Sequence, residues 1–142
     1  MPDIKHFIPL ATTPDKVFAT LTTQNGLGSW WTADTTITPK VGGTAEFGFD
    51  KRGMLFRMKI ESLETDRLVV MSCHGDHPEW AGTRLTWEIE PAGDGETHLR
   101  FTHANWKAVT DFCASCNTMW GQLMFRMKDY LEGRARGPQW TE

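Results

Sequence analysis

The feature that most constrains this fold is a helical stripe near the end of the chain. Phe112, Cys116, Met119, Leu123, Met127 and Leu131 recur at spacings of three and four, which puts them on one face of a single long helix. Trp120 and Met124 widen that face. Thr110 or Asp111 can cap its start, Gly133 can end it, and Pro138 forbids continuation. So wide an apolar face must be buried, and what precedes it has a period of two. Ala45, Phe47 and Phe49 alternate with polar residues. After a turn at Asp50–Gly53, Met54, Phe56, Met58 and Ile60 return. Leu85, Trp87 and Ile89 repeat the pattern, and Leu99, Phe101 and His103 repeat it again beyond the Pro91–Gly95 turn. Residues 67–73 are apolar on both faces, so their inward face stays open. Consecutive alternating runs joined by tight turns predict an antiparallel meander.

The opening is mixed. Ile4, His6, Ile8 and Leu10 alternate over residues 4–10, a first strand. Thr13-Pro14-Asp15 then supplies a cap, a proline for the first helical position and an acid at the positive end of the dipole. Val17, Phe18 and Leu21 form that helix's apolar stripe, which should stop before Asn25-Gly26. A second short helix is expected to carry Leu27, Trp30 and Trp31. One sheet and one long helix, each apolar on one side, must bury each other, so the class is α+β. With 142 residues, and no repeat or linker, one domain over residues 1–142 is expected.

Fifteen Lys and Arg against eighteen Asp and Glu give a net charge of -3, which argues against a nucleic-acid partner. No apolar run reaches the ~20 residues of a membrane span, so no membrane insertion is expected. Met1-Pro2-Asp3 does not open a secretory signal, and three cysteines are an odd number for a disulfide framework. A cytoplasmic location with reduced thiols follows as the expectation.

Thr13-Pro14-Asp15-Lys16-Val17-Phe18, Leu21-Thr22, and Leu27 followed by Trp30-Trp31 resemble the opening signature of the activator of heat-shock-protein ATPase homologue-like family, within the START-like (SRPBCC) superfamily. Val41-Gly42-Gly43, Phe101-Thr102-His103 with Trp106, and Trp120 with Tyr130-Leu131-Glu132 extend the resemblance over nearly the whole chain. It implies a helix-grip fold: a curved antiparallel sheet wrapped around the long C-terminal helix, with two short helices after the first strand and a cavity beneath the long one. It does not imply a ligand.

Four candidate sites stand out. His74-Gly75-Asp76-His77-Pro78-Glu79 packs four potential metal ligands into six positions, yet no other His/Cys pair has zinc spacing, so the segment reads as a turn and no metal or cofactor is expected. Cys113-Ala114-Ser115-Cys116 has redox spacing, but the context is not parallel βαβ, and both thiols share a helix face, where they read as structural. His103 shares a face with Leu99 and Phe101, so it points inward, either orienting a ligand as acid or base or sitting as a core histidine satisfied by backbone or Asn105. The fourth is the aromatic and methionine set, in a chain with seven Trp and eight Phe against one Tyr.

Trp31, Phe47, Phe49, Phe56, Met58, Trp87, Phe101, His103, Trp120 and Met124 are accordingly expected to line a cavity between sheet and helix that takes a small hydrophobic or amphipathic molecule. A cyclase- or dehydratase-type enzyme using the same cavity and a chaperone-interacting regulator are the alternatives, and a homodimer is left open. The resemblance implies that chaperone regulation by the larger family members involves an additional domain, which this chain is expected to lack. Thiol titration of the denatured protein, purified without reductant, should count three free cysteines. A Cys113–Cys116 disulfide would revive the redox reading.

Overall fold

The computed structural model describes residues 1–142. Strand β1 (Ile4–Leu10) leads into helices α1 (Pro14–Thr22) and α2 (Gln24–Leu27). Strands β2 (Thr35–Ile37), β3 (Thr44–Phe49), β4 (Met54–Glu64), β5 (Leu68–His74), β6 (Arg84–Gly93) and β7 (Glu96–Ala104) follow, and helix α3 (Asp111–Leu131) comes last. The strands form one seven-stranded antiparallel sheet in the order β1-β7-β6-β5-β4-β3-β2. Strands β2 to β7 are a plain meander, and β1 joins by pairing with β7. This is the α+β, helix-grip architecture that the resemblance implied.

Alternation sets the faces. Phe47 and Phe49, Phe56 and Met58, Trp87 and Ile89, and Leu99, Phe101 and His103 are all buried on the side that meets α3. On β5, both Val69 and Met71 and their neighbour Val70 are buried; Val69, Met71 and Cys73 join the main core and Val70 does not. That settles the face the sequence left open. A register shift between Ile60 and Ser62 kinks β4 beside it, the kind of irregularity that bends a strand and curves a sheet.

Several local expectations need correction. Helix α2 ends at Leu27, and Trp30 and Trp31 lie in the turn that follows, not on the helix. Strand β2 was not foreseen: Thr35–Ile37 is too short to establish a period and pairs only with β3. Thr13 stands at the cap of α1, but its side chain makes no capping bond. Side-chain caps form instead at α2, where Thr23 Oγ1 accepts from Gly26 N at 2.9 Å, and at α3, where Thr110 Oγ1 accepts from Cys113 N at 3.1 Å. The β3–β4 turn is unusual: Asp50, Lys51 and Arg52 all have positive φ, at 51°, 55° and 66°. It is tied back by Arg52, whose guanidinium grips the Asp34 carboxylate at 2.8 and 2.9 Å. This pair crosses β3 over Gly48, where a Cβ would collide with the Asp34 carboxylate.

At 21 residues, α3 is about 30 Å long, long enough to cross the sheet. It buries Cys113, Trp120, Leu123, Met124 and Met127. Polar bonds fasten it along β1: His6 Nε2 to Asn117 Oδ1 at 2.9 Å, and Lys128 Nζ to the Pro9 carbonyl at 2.9 Å. Beyond β1, the Ala11 N–H donates to Glu132 Oε2. Burial works against the Glu132 carboxylate, but the Ala11 N–H, Lys128 and Arg134 outweigh it and hold its pKa at about 2.

Trp120 sits at the centre, 1% exposed. Its ring centroid lies 4.4 Å from Phe101, 5.1 Å from Trp31 and 5.9 Å from Trp87. Trp120→Ala should therefore cost about 3–5 kcal/mol in urea unfolding. A loss below about 1 kcal/mol would mean that the helix does not grip the sheet through this ring.

Candidate functional site

The predicted lining residues divide into two groups. Phe47, Met58, Trp87, Phe101, His103 and Met124 are packed into the core with at most 2% of their surface exposed. Rings fill the middle of the grip: Trp87 lies 4.2 Å from Phe101 and 6.0 Å from Trp30. Trp31, Phe49, Phe56 and Trp120 instead border an open pocket of about 250 Å³ toward the β3–β4 turn.

His103 belongs firmly to the core. Thr83 donates its hydroxyl proton to the Trp80 carbonyl at 2.6 Å, so Thr83 Oγ1 can only accept from His103 Nε2, at 2.9 Å. On the other side, Trp120 Nε1–H donates to His103 Nδ1 at 3.1 Å. The ring is thus held as the neutral Nε2–H tautomer, with both nitrogens engaged. Its partners are Thr83 and Trp120, not Asn105, whose N–H instead meets Asp3. Burial pushes the His103 pKa down to about 3. No free nitrogen remains for acid or base chemistry.

The rest of the pocket comes from residues that the periodic patterns did not single out together. Phe112, Ser115, Cys116, Met119 and Leu123 line it from α3; Asp50 and Met54 from the β3–β4 turn; Trp80 from the β5–β6 connection; and Trp140 from the C-terminal tail. The tail is strapped in place. Trp140 N donates to the Trp31 carbonyl at 3.1 Å, and the Trp140 carbonyl accepts from Ala33 N at 2.9 Å. Arg126 on α3 reaches Gln139 Oε1 at 2.8 Å and the Gly137 carbonyl at 2.7 Å. Aromatic contacts run around the walls: Trp140 to Phe49 at 4.8 Å, Phe49 to Phe56 at 5.5 Å, and Phe56 flat against Trp80 at 4.2 Å. Sequence signals for these residues were weak. The α3 residues were legible as a stripe, whereas Trp80 and Trp140 lie outside any periodic element.

The connection between β5 and β6 acts as a turn with distributed anchors. Asp76 grips Arg57 at 2.7 Å, and His74 Nε2 meets Ser72 Oγ at 2.9 Å. The His77 ring stacks on Phe112 at 4.1 Å, and Glu79 accepts from the Thr110 hydroxyl. The four side chains point to four different partners, and no three metal-ligating groups converge. None of Cys73, Cys113 and Cys116 is joined in a disulfide. Burial pushes Cys116 up to about 11, with Cys113 and Glu79 adding to the rise. Burial raises Cys113 as well. Neither thiol is activated as redox chemistry requires.

Residues 11–132 match the family model described as activator of Hsp90 ATPase homolog 1-like protein. Among solved structures, the chain resembles the Aha1 dimer from Colwellia psychrerythraea at 36% identity, covering 94% of this chain and 98% of that one, with a TM-score of 0.85. A protein from Mesorhizobium loti (16% identity, 93% and 98% covered, TM-score 0.82) and an HSP90 activator from Plasmodium falciparum (18%, 92% and 96%, TM-score 0.70) share the fold. No curated protein matches. No helix is long and apolar enough to cross a membrane.

The His103 arrangement has a pH consequence. An unfolded His103 takes a proton below about pH 6.5, while the folded ring resists it down to about pH 3. In that window the unfolded chain binds the extra proton, so stability falls as pH falls. Between pH 7 and 4.5 this site should remove on the order of 2–3 kcal/mol of unfolding free energy, and His103→Gln should flatten the slope. Nitrogen NMR should show the imidazole unchanged over that range; an ordinary titration near pH 6.5 would refute the assignment.

Proposed function

This chain belongs to the activator of Hsp90 ATPase homolog 1-like family, and on that premise we propose that it holds a small, mostly apolar molecule in the pocket between α3 and the β3–β4 turn. The observation that carries the reading is the pocket itself: 11 of its 13 lining residues are hydrophobic, yet it opens to the surface. Apolar surface left exposed in a concavity costs free energy that an apolar occupant recovers. Met54 and Met119 on its walls are flexible and polarizable, which suits a site tolerant of ligand shape. The cyclase- or dehydratase-type alternative loses its proposed acid–base group, because both nitrogens of His103 are taken.

A second reading comes from the relatives' names. One is described as an HSP90 activator and another was solved as a dimer, so docking on a chaperone and self-association are the surface-based alternatives. A pull-down with a purified chaperone, beside sedimentation of the protein alone, separates them from ligand binding.

Fatty acids, flavonoids, aromatic polyketides and neutral and cationic aromatic alcohols and amines, titrated with thermal-shift and tryptophan-fluorescence readouts, test the proposal. A binder at 100 times its Kd should add about 2.7 kcal/mol of stability. Trp140→Ala should weaken binding roughly tenfold by removing one wall, while Glu88→Ala and Lys107→Ala leave it unchanged. If no panel member raises the melting temperature, the pocket reading fails and the surface readings take its place.

A further inference from the structure

The pocket's charge pattern says more about its occupant, and this inference rests on the pocket reading above. Asp50 is the one charged residue on the lining; no Lys, Arg or His reaches it. The cations nearest the β3–β4 turn face carboxylates other than Asp50: Lys51 lies 3.6 Å from Glu142 at the exposed surface, Arg52 grips Asp34 at 2.8 Å, and Arg57 grips Asp76 at 2.7 Å. None of them pairs with Asp50. Glu79 is a second carboxylate without a cation; its partner is the Thr110 hydroxyl. Its charge is felt at Cys116 on the pocket wall, where it helps to raise the thiol pKa. The N-terminus of α3 opposes this field with partial positive charge. Thr110, however, already occupies the Cys113 N–H, and Asp111 stands in the first turn.

The walls act in the same direction. Trp31, Phe49, Phe56, Trp80, Trp120 and Trp140 border the pocket, and aromatic faces carry negative potential that attracts cations, more strongly where water is thin. A ligand carboxylate entering here would lose hydration, meet Asp50 and find no cation in compensation. At about 250 Å³, the volume is below the ~300 Å³ at the lower end of common small-molecule sites, which suits a compact ring system better than a long acyl chain. We propose that the pocket selects a small organic cation, an apolar and mostly aromatic body bearing an ammonium group that lies against the ring faces and toward Asp50.

Three isosteric probes read the charge preference directly: naphthylmethylamine, naphthylmethanol and naphthoate, titrated by calorimetry at low and high salt. The amine should bind roughly five- to tenfold tighter than the alcohol, with naphthoate weakest and the differences shrinking at high salt. Asp50→Asn is the informative variant. Asp50 sits at φ 51°, and Asn is among the residues that tolerate this region best, so the turn should persist, which the melting curve checks. In that variant the amine advantage over the alcohol should shrink by roughly two- to fivefold, the remainder coming from the ring walls, while the alcohol's own affinity stays unchanged. Equal affinities for all three probes, a preference for naphthoate, or an amine advantage undiminished by Asp50→Asn would overturn the proposal and leave the apolar pocket standing. Failure of all three to bind would overturn both.

Discussion

The Trp120 indole is the constraint around which the molecule is arranged. It must satisfy one buried N–H while its ring fills the centre of the grip, and His103 Nδ1 on β7 supplies the acceptor. That bond requires a neutral histidine, which requires an acceptor for Nε2–H, which Thr83 provides at the entry to β6. Thr83 in turn donates to the Trp80 carbonyl. One chain of hydrogen bonds therefore ties the helix, β7 and the β5–β6 connection. A buried network of this kind favours one docking of the helix, because sliding α3 would strand several polar groups at once.

The same bond chain accounts for where the pocket lies. By holding Trp120 and Trp80 deep in the grip, it closes the middle of the space between sheet and helix. At the β3–β4 end the space between sheet and helix is left open, and the C-terminal strap covers part of it through Trp140. The open volume is what remains between a closed core and a narrow strap. Its walls are apolar because they continue the core, and its rim is acidic because the nearby cations are engaged elsewhere.

Much of the fold was legible in the sequence, for a physical reason: strands and helix with one buried face carry their periods openly. The meander, the wide stripe of α3 and the inward set from Phe47 to His103 all follow from that. Elements without a period were not legible. Thr35–Ile37 is too short, and Trp30 and Trp31 are held by the turn after α2 rather than by a helix. The site was only half legible. Alternation tells which residues point inward, but not whether an inward residue meets another side chain or an opening. Hence Phe49 and Phe56 border the pocket while Phe47 and Met58, on the same strands and face, do not. Trp80 and Trp140 reach the site from a turn and a tail, where only tertiary contacts decide position.

The central claim is that apolar space is open at the β3–β4 end and closed in the middle, and methionine-methyl NMR tests it most directly. Met54 and Met119 lie on the pocket walls, whereas Met58, Met71, Met124 and Met127 are core residues. On titration with naphthylmethanol, the Met54 and Met119 methyl signals should move together and saturate together while the core methyls stay in place. Movement of Met58 and Met124 ahead of Met54 and Met119 would place the ligand beneath the middle of the helix and contradict the account.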